Sequence, residues 1–172
     1  MENTFQPKLT GIYIGIDPSL KKTGLVCIKE DGELVETTVV KTTAKDRPEE
    51  RLPNIATKML EFIVRNKPNM VGIEAPAYAK QSNKAHLLGA LHFYLRIRLA
   101  EEGIGFEIVG PGTWKKAVLG KGNLHKDLIL LETYKKYNIS FSSDDLCDAY
   151  CIAKYVSQKY PSTTKRKLVK RK

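Results

Sequence analysis

The alternation of apolar and polar residues predicts a series of short strands at the start of the chain. Residues 11–17 (GIYIGID) form an apolar run that ends in an acid, as expected of a buried strand. Residues 25–30 and 33–41 have a similar character, and Asp31-Gly32 between them is a strong hairpin signal because both residues tolerate positive φ. The first forty residues therefore predict a three-stranded antiparallel meander.

The rest of the chain alternates between helical spacing and two more short strands. Apolar residues three and four apart, together with turn signals, indicate five helices. They fall at about 48–66, 83–102, 112–119, 124–137 and 143–159. Residues 70–74 (MVGIE) and 106–109 (FEIV) supply the fourth and fifth strands. Because there is no internal repeat or linker, residues 1–160 are predicted to form one domain, followed by a mobile basic tail, 161–172.

This order of elements predicts an α/β fold built on one mixed sheet. A meander followed by strand–helix units places all five strands in a single sheet with helices on its faces. Right-handed crossovers put the fourth strand beside the first and the fifth strand beyond it. The predicted five-stranded sheet therefore has the order 3-2-1-4-5 and is flanked by helices, with strands one and four as parallel neighbours.

Two acids end neighbouring strands of this predicted sheet. Asp17 closes the first strand and Glu74 closes the fourth. Ligands of open α/β sheets bind at the carboxyl ends of the strands, so the two carboxylates are expected to meet there. Adjacent carboxylates repel each other unless a cation or a proton lies between them. Taken alone, Asp17 could also serve only to cap the turn that begins at Pro18.

The last helix carries a second pair of acids near its start. Asp145 lies in the apolar stripe of that helix, and Asp148 lies at its margin on the same face. Acids at a core-facing edge are costly unless they are paired or bind a metal. Either could instead be a helix N-terminal acid favoured by the macrodipole, a role that suits Asp144 better. If both pairs converge, a set of carboxylates without His or Cys favours Mg²⁺ or Mn²⁺ over zinc.

Composition narrows the class of protein. With 42% apolar and 28% charged residues, the chain is typical of a folded globular protein. No apolar run approaches the roughly 20 residues of a membrane span, and the N-terminus lacks the apolar core of a secretion signal. Three cysteines without CxxC spacing argue against a disulfide framework and a structural zinc site. A reducing, cytoplasmic compartment is therefore expected.

The net charge of +10 points to a polyanionic partner. Six of the last eight residues are basic, and without them the net charge would be +4. Phosphate contacts are the usual source of non-specific affinity for nucleic acids. A solvated tail that only aids solubility is the alternative explanation.

Four segments of the sequence together resemble one enzyme family, the RuvC-like Holliday-junction resolvases. The segments, in the family's order over roughly residues 12–156, are GIDPSLKKTG, VGIEAPAY, GPGTWKKAVLGKGNLHKD and DLCDAYCIA. The resemblance implies an RNase H-like fold in which Asp17, Glu74, Asp145 and Asp148 hold two divalent metal ions, Mg²⁺ or Mn²⁺. It also implies a homodimer, in a bacterial cell or a phage-infected host, that nicks two opposed strands of a four-way DNA junction during recombination and repair.

The resemblance further implies a reaction and the basic residues that assist it. One metal would activate a water and the other would stabilise the leaving 3′ oxygen, so that hydrolysis leaves a 5′-phosphate and a 3′-hydroxyl. The family's basic positions fall on Lys115 and Lys126, which would offset charge at the scissile phosphate. Lys116 and Lys121 lie close by and could contact the DNA backbone. An exposed basic helix is the simpler explanation for any one of these lysines.

Two features depart from the family pattern. The family tends to place an aromatic residue just after the acid of strand four, where it can stack on a base. Tyr78 is the nearest candidate here, although Pro76 changes the offset. The basic tail is not a family feature, so a role for it in DNA binding rests on charge alone.

The predicted second helix is apolar on two sides. Leu91, Leu95 and Leu99 belong to one apolar face, whereas Phe93 and Ile97 belong to another. Such a helix is either buried between layers of one subunit or meets a partner. The sequence leaves both alternatives open.

Three other functions are compatible with parts of the sequence. IGIDPSLKKTG also resembles the phosphate-binding turn of actin-like ATPases and sugar kinases, but a single domain cannot form their two-domain cleft. An RNase H-like nuclease that acts on forks, other branched DNA or RNA is a second alternative. A junction-binding protein that has lost cleavage is the third, and the presence of all four acids speaks against it.

Overall fold

The computed structural model describes residues 11–76 and 85–162 and contains the predicted five-stranded sheet. Its strands are β1 (Ile12–Asp17), β2 (Lys22–Lys29), β3 (Leu34–Lys41), β4 (Met70–Glu74) and β5 (Phe106–Val109). They lie in the order β3-β2-β1-β4-β5. β1 pairs antiparallel with β2 and parallel with β4. The predicted sheet order and the parallel pairing of the first and fourth strands are confirmed.

Helices cover both faces of the sheet. They are α1 (Pro48–Asn66), α2 (Ala85–Glu101), α3 (Pro111–Trp114), α4 (Lys126–Tyr137) and α5 (Asp144–Lys159). Side chains alternate between the two faces of a strand, so β1 sends Ile14 and Ile16 to one side and Tyr13 to the other. Ile14 and Ile16 share a core with α1 and α2, whereas Tyr13 shares one with α3, α4 and α5.

Most predicted element bounds agree with the structure within three residues. β2 begins at Lys22 rather than at residue 25, because Lys22 and the two residues after it continue the ladder to β3. The helix predicted over 112–119 lies where it was expected, but it is not a regular α-helix throughout. The regular turn of α3 passes into a π-helical turn, Lys115–Leu119. Such π-helical turns are frequent at functional sites.

Three glycines let α5 lie directly on the sheet. Gly15 and Gly72 face each other across β1 and β4, and Gly24 lies on β2 beside the last residue of β1. A Cβ on Gly15 would be 1.9 Å from the carbonyl oxygen of Ala149, and one on Gly24 would be 2.2 Å from that of Asp145. Because only bare backbone fits, the first turn of α5 rests at the carboxyl end of β1.

The predicted tail lies mostly outside the described residues, as does Tyr78. Ser162 donates its backbone N–H to the Glu30 carboxylate at 3.3 Å, which ties the end of the described chain to the turn after β2. Within residues 11–76 and 85–162, no helix is long and apolar enough to cross a membrane.

Candidate active site

Asp17 and Glu74 lie side by side at the carboxyl edge of the sheet, as the predicted topology requires. Ile16 and Ile73 are register partners on β1 and β4, and the two acids are the next residues along each strand. Their carboxyl groups lie within hydrogen-bonding reach of each other. Burial, and then the charge of Glu74, raises the pKa of Asp17 well above its ordinary value. Asp17 therefore resists ionisation unless a cation is present.

The start of α5 brings the second pair of acids to the same edge. Burial, followed by the charge of Glu74, raises the pKa of Asp148 to about 7. The charges of Asp148 and Asp145 in turn contribute to the raised pKa of Asp17. The four predicted acids therefore lie close enough to act on one another. The close seating of α5 on the sheet glycines accounts for this proximity.

One oxygen of this cluster has no partner among the described residues. Asp148 Oδ1 is buried and forms no hydrogen bond there. A buried carboxylate oxygen without a donor is costly, and a bound cation is one means of satisfying it. The oxygen donors of four carboxylates are also the ligands that hard divalent cations prefer. The cluster therefore fits a divalent metal in its donor chemistry.

The acids are not already arranged as a coordination shell. Within the part of the chain that the structure describes, no group of three or more acidic, histidine or cysteine side chains is set to hold a metal ion. The proximity of the acids is thus an observation, whereas their role as metal ligands stays a prediction.

Glu74 has a partner that sequence reasoning did not single out. The indole Nε1 of Trp114 donates a hydrogen bond to Glu74 Oε1 at 2.9 Å, and Trp114 is fully buried. The backbone N–H of Ala75 donates to the Val109 carbonyl at 2.8 Å, which ties the ends of β4 and β5 together. α3 begins at Pro111 and returns Trp114 to that edge. The signal available in the sequence was that a buried tryptophan usually finds an acceptor for its N–H.

The predicted basic residues Lys115 and Lys126 approach the acids from the segment between β5 and α5. Their charges lower the pKa of Asp148 and so oppose part of the effect of burial. Lys115 Nζ lies 5.5 Å from the centroid of the Trp114 ring and 3.4 Å from the carbonyl oxygen of Leu124. The structure therefore brings both lysines near the acids.

Lys126 also pairs with Asp144, for which the residue pattern predicted only a role at the start of the helix. Lys126 Nζ lies 3.4 Å from Asp144 Oδ2. Burial disfavours the charge of Lys126, but the hydrogen bond to Asp144 and the charges of Asp148 and Asp145 outweigh it and raise its pKa. Asp144 lies in the first turn of α5, so one acid both begins that helix and holds Lys126 beside the cluster.

Lys116 and Lys121 lie on the surface rather than among the acids. Both are exposed, and they flank Gly120, whose φ of 86° turns the chain after the π-helical turn. Exposed lysines in a turn can contact an extended polyanion. Lys115 and Lys126 therefore lie near the acids, although the Lys126 side chain is itself exposed, whereas Lys116 and Lys121 are exposed at the turn around Gly120.

Helix α2 is buried on one side only. Leu91, Leu95 and Leu99 pack in the core shared with α1, whereas Phe93 and Ile97 are 61% and 55% exposed. Of the two alternatives for this helix, burial of both faces within one subunit is wrong. The second apolar face is open to a partner.

Proteins with similar sequences are named as crossover junction endodeoxyribonucleases. The sequence profile of the family described as "Crossover junction endodeoxyribonuclease RuvC" matches residues 13–154. RuvC of Rickettsia bellii is 31% identical over 147 residues, which cover 83% of this chain and 94% of the relative. RuvC of Brachyspira hyodysenteriae is 26% identical over 145 residues, which cover 83% and 91%.

Solved structures share the fold. Thermus thermophilus RuvC in complex with a Holliday junction substrate matches with a TM-score of 0.74 at 24% identity, over 87% of this chain and 96% of that one. The yeast mitochondrial Holliday junction resolvase Ydc2 matches with a TM-score of 0.57 at 14% identity, over 89% and 82%. These matches confirm the predicted resolvase fold. The profile match spans all four acids and favours the nuclease over the actin-like alternative. The chain therefore belongs to the RuvC family of crossover junction endodeoxyribonucleases, which are metal-dependent nucleases, as its motifs predicted.

Proposed function

We propose that this protein resolves four-way DNA junctions by metal-dependent hydrolysis at Asp17, Glu74, Asp145 and Asp148. The observation that carries the proposal is the crowding of these acids. Asp17 adjoins Glu74 and has a raised pKa, and the buried Oδ1 of Asp148 has no partner among the described residues. A divalent cation would relieve both the repulsion and the unsatisfied oxygen. The relatives are named crossover junction endodeoxyribonucleases, so a DNA crossover junction is the substrate that we assign.

We assign Mg²⁺ or Mn²⁺ as the cofactor, with two ions per active site. Four ionised carboxylates carry four negative charges, which two divalent cations would balance. All four ligands are oxygen donors, which suit hard cations. When bound, the cations supply Lewis acidity that lowers the pKa of a water and offsets charge on the leaving oxygen. Hydrolysis of this type leaves a 5′-phosphate and a 3′-hydroxyl.

Basic residues near the acids and on the surface are assigned to contacts with DNA phosphates. Lys115 and Lys126 lie beside the acids, where their charge offsets that of the scissile phosphate. Lys116 and Lys121 are exposed and are assigned to phosphates farther along the DNA. Tyr78, the nearest aromatic residue after Glu74 in the sequence, is assigned to stacking on a base near the junction.

Symmetric cleavage requires two active sites related by a two-fold axis, and we assign α2 to the interface of a homodimer. Phe93 and Ile97 are spaced four residues apart, so they are neighbours on its exposed face, and adjacent exposed apolar side chains suit contact with a partner. A cavity of about 390 Å³ between α1 and α2 lies along the same helix and offers room for side chains of a second copy. It is lined by Pro48, Glu49, Leu52, Pro53, Leu87, Ala90 and Tyr94.

The proposal is tested by offering the purified protein four substrates, each with and without Mg²⁺ or Mn²⁺. The substrates are a four-way junction, a fork, a linear duplex and an RNA–DNA hybrid. Paired nicks on opposed strands of the junction, made only with metal, are the expected result. Equal cutting of all four substrates would reject junction resolution. Preferential cutting of the fork or the hybrid would favour the other nuclease alternative, and binding without cutting would favour the non-cleaving one.

A further inference from the structure

The hydrogen bond between Trp114 and Glu74 points to a role for Trp114 beyond packing. We propose that Trp114 is a positioning residue that orients the Glu74 carboxylate for metal binding, and that its fluorescence reports occupancy of the metal site. The inference rests on the assignment of Glu74 as a metal ligand in the proposed function.

The geometry of the contact fixes one oxygen of the carboxylate. Trp114 Nε1 donates to Glu74 Oε1 at 2.9 Å, a normal length for an N–H···O hydrogen bond. Glu74 is otherwise a long side chain with several rotamers at the end of a strand. With Oε1 held by the indole, the second oxygen, Oε2, remains for the neighbouring Asp17 or for a cation.

The packing around the indole of Trp114 holds it in one position. Trp114 is fully buried and packs in the core that contains Val109, Val118 and Tyr13. A side chain held on all sides keeps its hydrogen bond in one direction without further loss of entropy. Partners of this kind, which contact a ligand rather than the metal, typically contribute about 10- to 100-fold to metal affinity.

Trp114 also contacts a lysine of the site. Lys115 Nζ is 5.5 Å from the centroid of the indole ring, and its charge acts on Asp148. One rigid ring therefore contacts a predicted metal ligand through its N–H and a predicted phosphate-binding lysine through its face. A change in the position of Trp114 would alter both.

The composition of the chain makes this contact observable. Trp114 is the only tryptophan among the 172 residues, so indole emission comes from this position alone. A cation on Glu74 withdraws charge from the acceptor of the indole hydrogen bond and changes the emission. Mn²⁺ adds paramagnetic quenching over short distances. A saturable emission change on titration with Mg²⁺ or Mn²⁺ is expected from the wild-type protein without DNA.

The decisive comparison is Mn²⁺ affinity, measured by electron paramagnetic resonance on DNA-free protein. Trp114→Phe keeps the aromatic packing and removes the N–H, and we expect it to bind Mn²⁺ about 10-fold more weakly. Tyr13→Phe is the matched control, because Tyr13 donates its hydroxyl to the Tyr160 carbonyl at 2.6 Å, far from the acids. It should bind Mn²⁺ like the wild type. A merely structural Trp114 would lower the melting temperature of Trp114→Phe and leave its Mn²⁺ affinity unchanged, which would overturn the proposal.

Glu74→Gln provides a second test that does not depend on the folding of Trp114→Phe. Glutamine retains an oxygen that can accept the indole hydrogen bond, but it lacks the charge that attracts a cation. Loss of the emission change in this variant is expected, and an unchanged response would overturn the reporter role. Absence of Mn²⁺ binding by the wild type would instead reject the proposed function, so the two failures are distinguishable.

Discussion

In the folded protein, Gly24 of β2 lies directly against the backbone of Asp145 at the start of α5. A Cβ on Gly24 would be 2.2 Å from the Asp145 carbonyl oxygen, far inside any real contact. Since this atom belongs to rigid helix backbone, it cannot move aside as a flexible side chain can. The absence of a side chain at Gly24 therefore sets how closely the acids of α5 approach Asp17.

Gly24→Ala is predicted to push the start of α5 away from the sheet. We expect a loss of about 1–3 kcal/mol in the free energy of unfolding, from overpacking in the core, together with impaired junction cutting. Urea denaturation followed by a cleavage assay measures both. Gly105→Ala, before β5, outside α2 and away from the acids, is the control, because a Cβ there meets only the flexible Met70 side chain at 3.6 Å, an ordinary contact. A Gly24→Ala variant as stable and active as the Gly105→Ala variant would show that the contact with Asp145 does not set the position of α5.

The stability of the metal-free protein is predicted to fall as the pH rises toward neutrality. Burial and the charge of Glu74 raise the pKa of Asp148 to about 7, from an ordinary value near 3.8. Between these two values the folded state binds more protons than the unfolded state, so the free energy of unfolding falls with rising pH. Each pKa unit corresponds to about 1.4 kcal/mol, so a difference of about three units costs roughly 4 kcal/mol above pH 7.

Asp148→Asn removes that cost and provides the check. In thermal unfolding without metal, the variant should melt several degrees above the wild type at pH 8, and the two should coincide near pH 4. Added Mg²⁺ should raise the melting temperature of the wild type at pH 8 and leave the variant less affected. An equal gain from Asp148→Asn at both pH values would mean that charge crowding is not its cause.

Adjacent lysines are predicted to have separable roles. Lys115 is half-buried near the acids, whereas Lys116 is exposed. Lys115→Met should lower the rate of junction cutting by about 100-fold with little change in binding, because it removes charge beside the scissile phosphate. Lys116→Met should weaken junction binding and reduce its salt dependence by about one counterion, with the rate at saturation preserved. Single-turnover kinetics across a salt series distinguishes the two, and identical effects would refute the division.

The exposed face of α2 is predicted to hold two copies of the chain together. Phe93→Asp places a charge on the most exposed large apolar side chain of that helix and should yield a monomer in sedimentation velocity experiments. Val64→Asp, on an exposed position of α1, is the matched control and should leave the dimer intact. A wild-type protein that sediments as a monomer would remove α2 as a dimer interface.

The predicted sheet order was correct because few topologies satisfy a meander, two crossovers and a right-handed rule. The predicted order of the strands was sufficient to place Asp17 and Glu74 side by side. The contacts of Trp114 with Glu74 and of Lys126 with Asp144 were not predicted, since a hydrogen bond between distant side chains depends on how their elements pack. The interior strand glycines indicated a close approach of backbone, but not which helix approaches. The π-helical turn left no periodicity signal, because its hydrogen bonds span only one residue more than those of a regular helix and it lasts for a single turn.

The four acids gathered at one edge of the sheet are proposed to cut a DNA junction with the help of divalent metal. The decisive variant is Asp17→Asn, with Asp127→Asn on an exposed position of α4 as the control. The measurement is four-way junction binding and Mg²⁺-dependent cutting by the wild type and both variants. Asp17→Asn is expected to bind the junction as the wild type does but to cut it at least about 1000-fold more slowly, while Asp127→Asn cuts normally. Undiminished cutting by Asp17→Asn would show that Asp17 is not part of the active site.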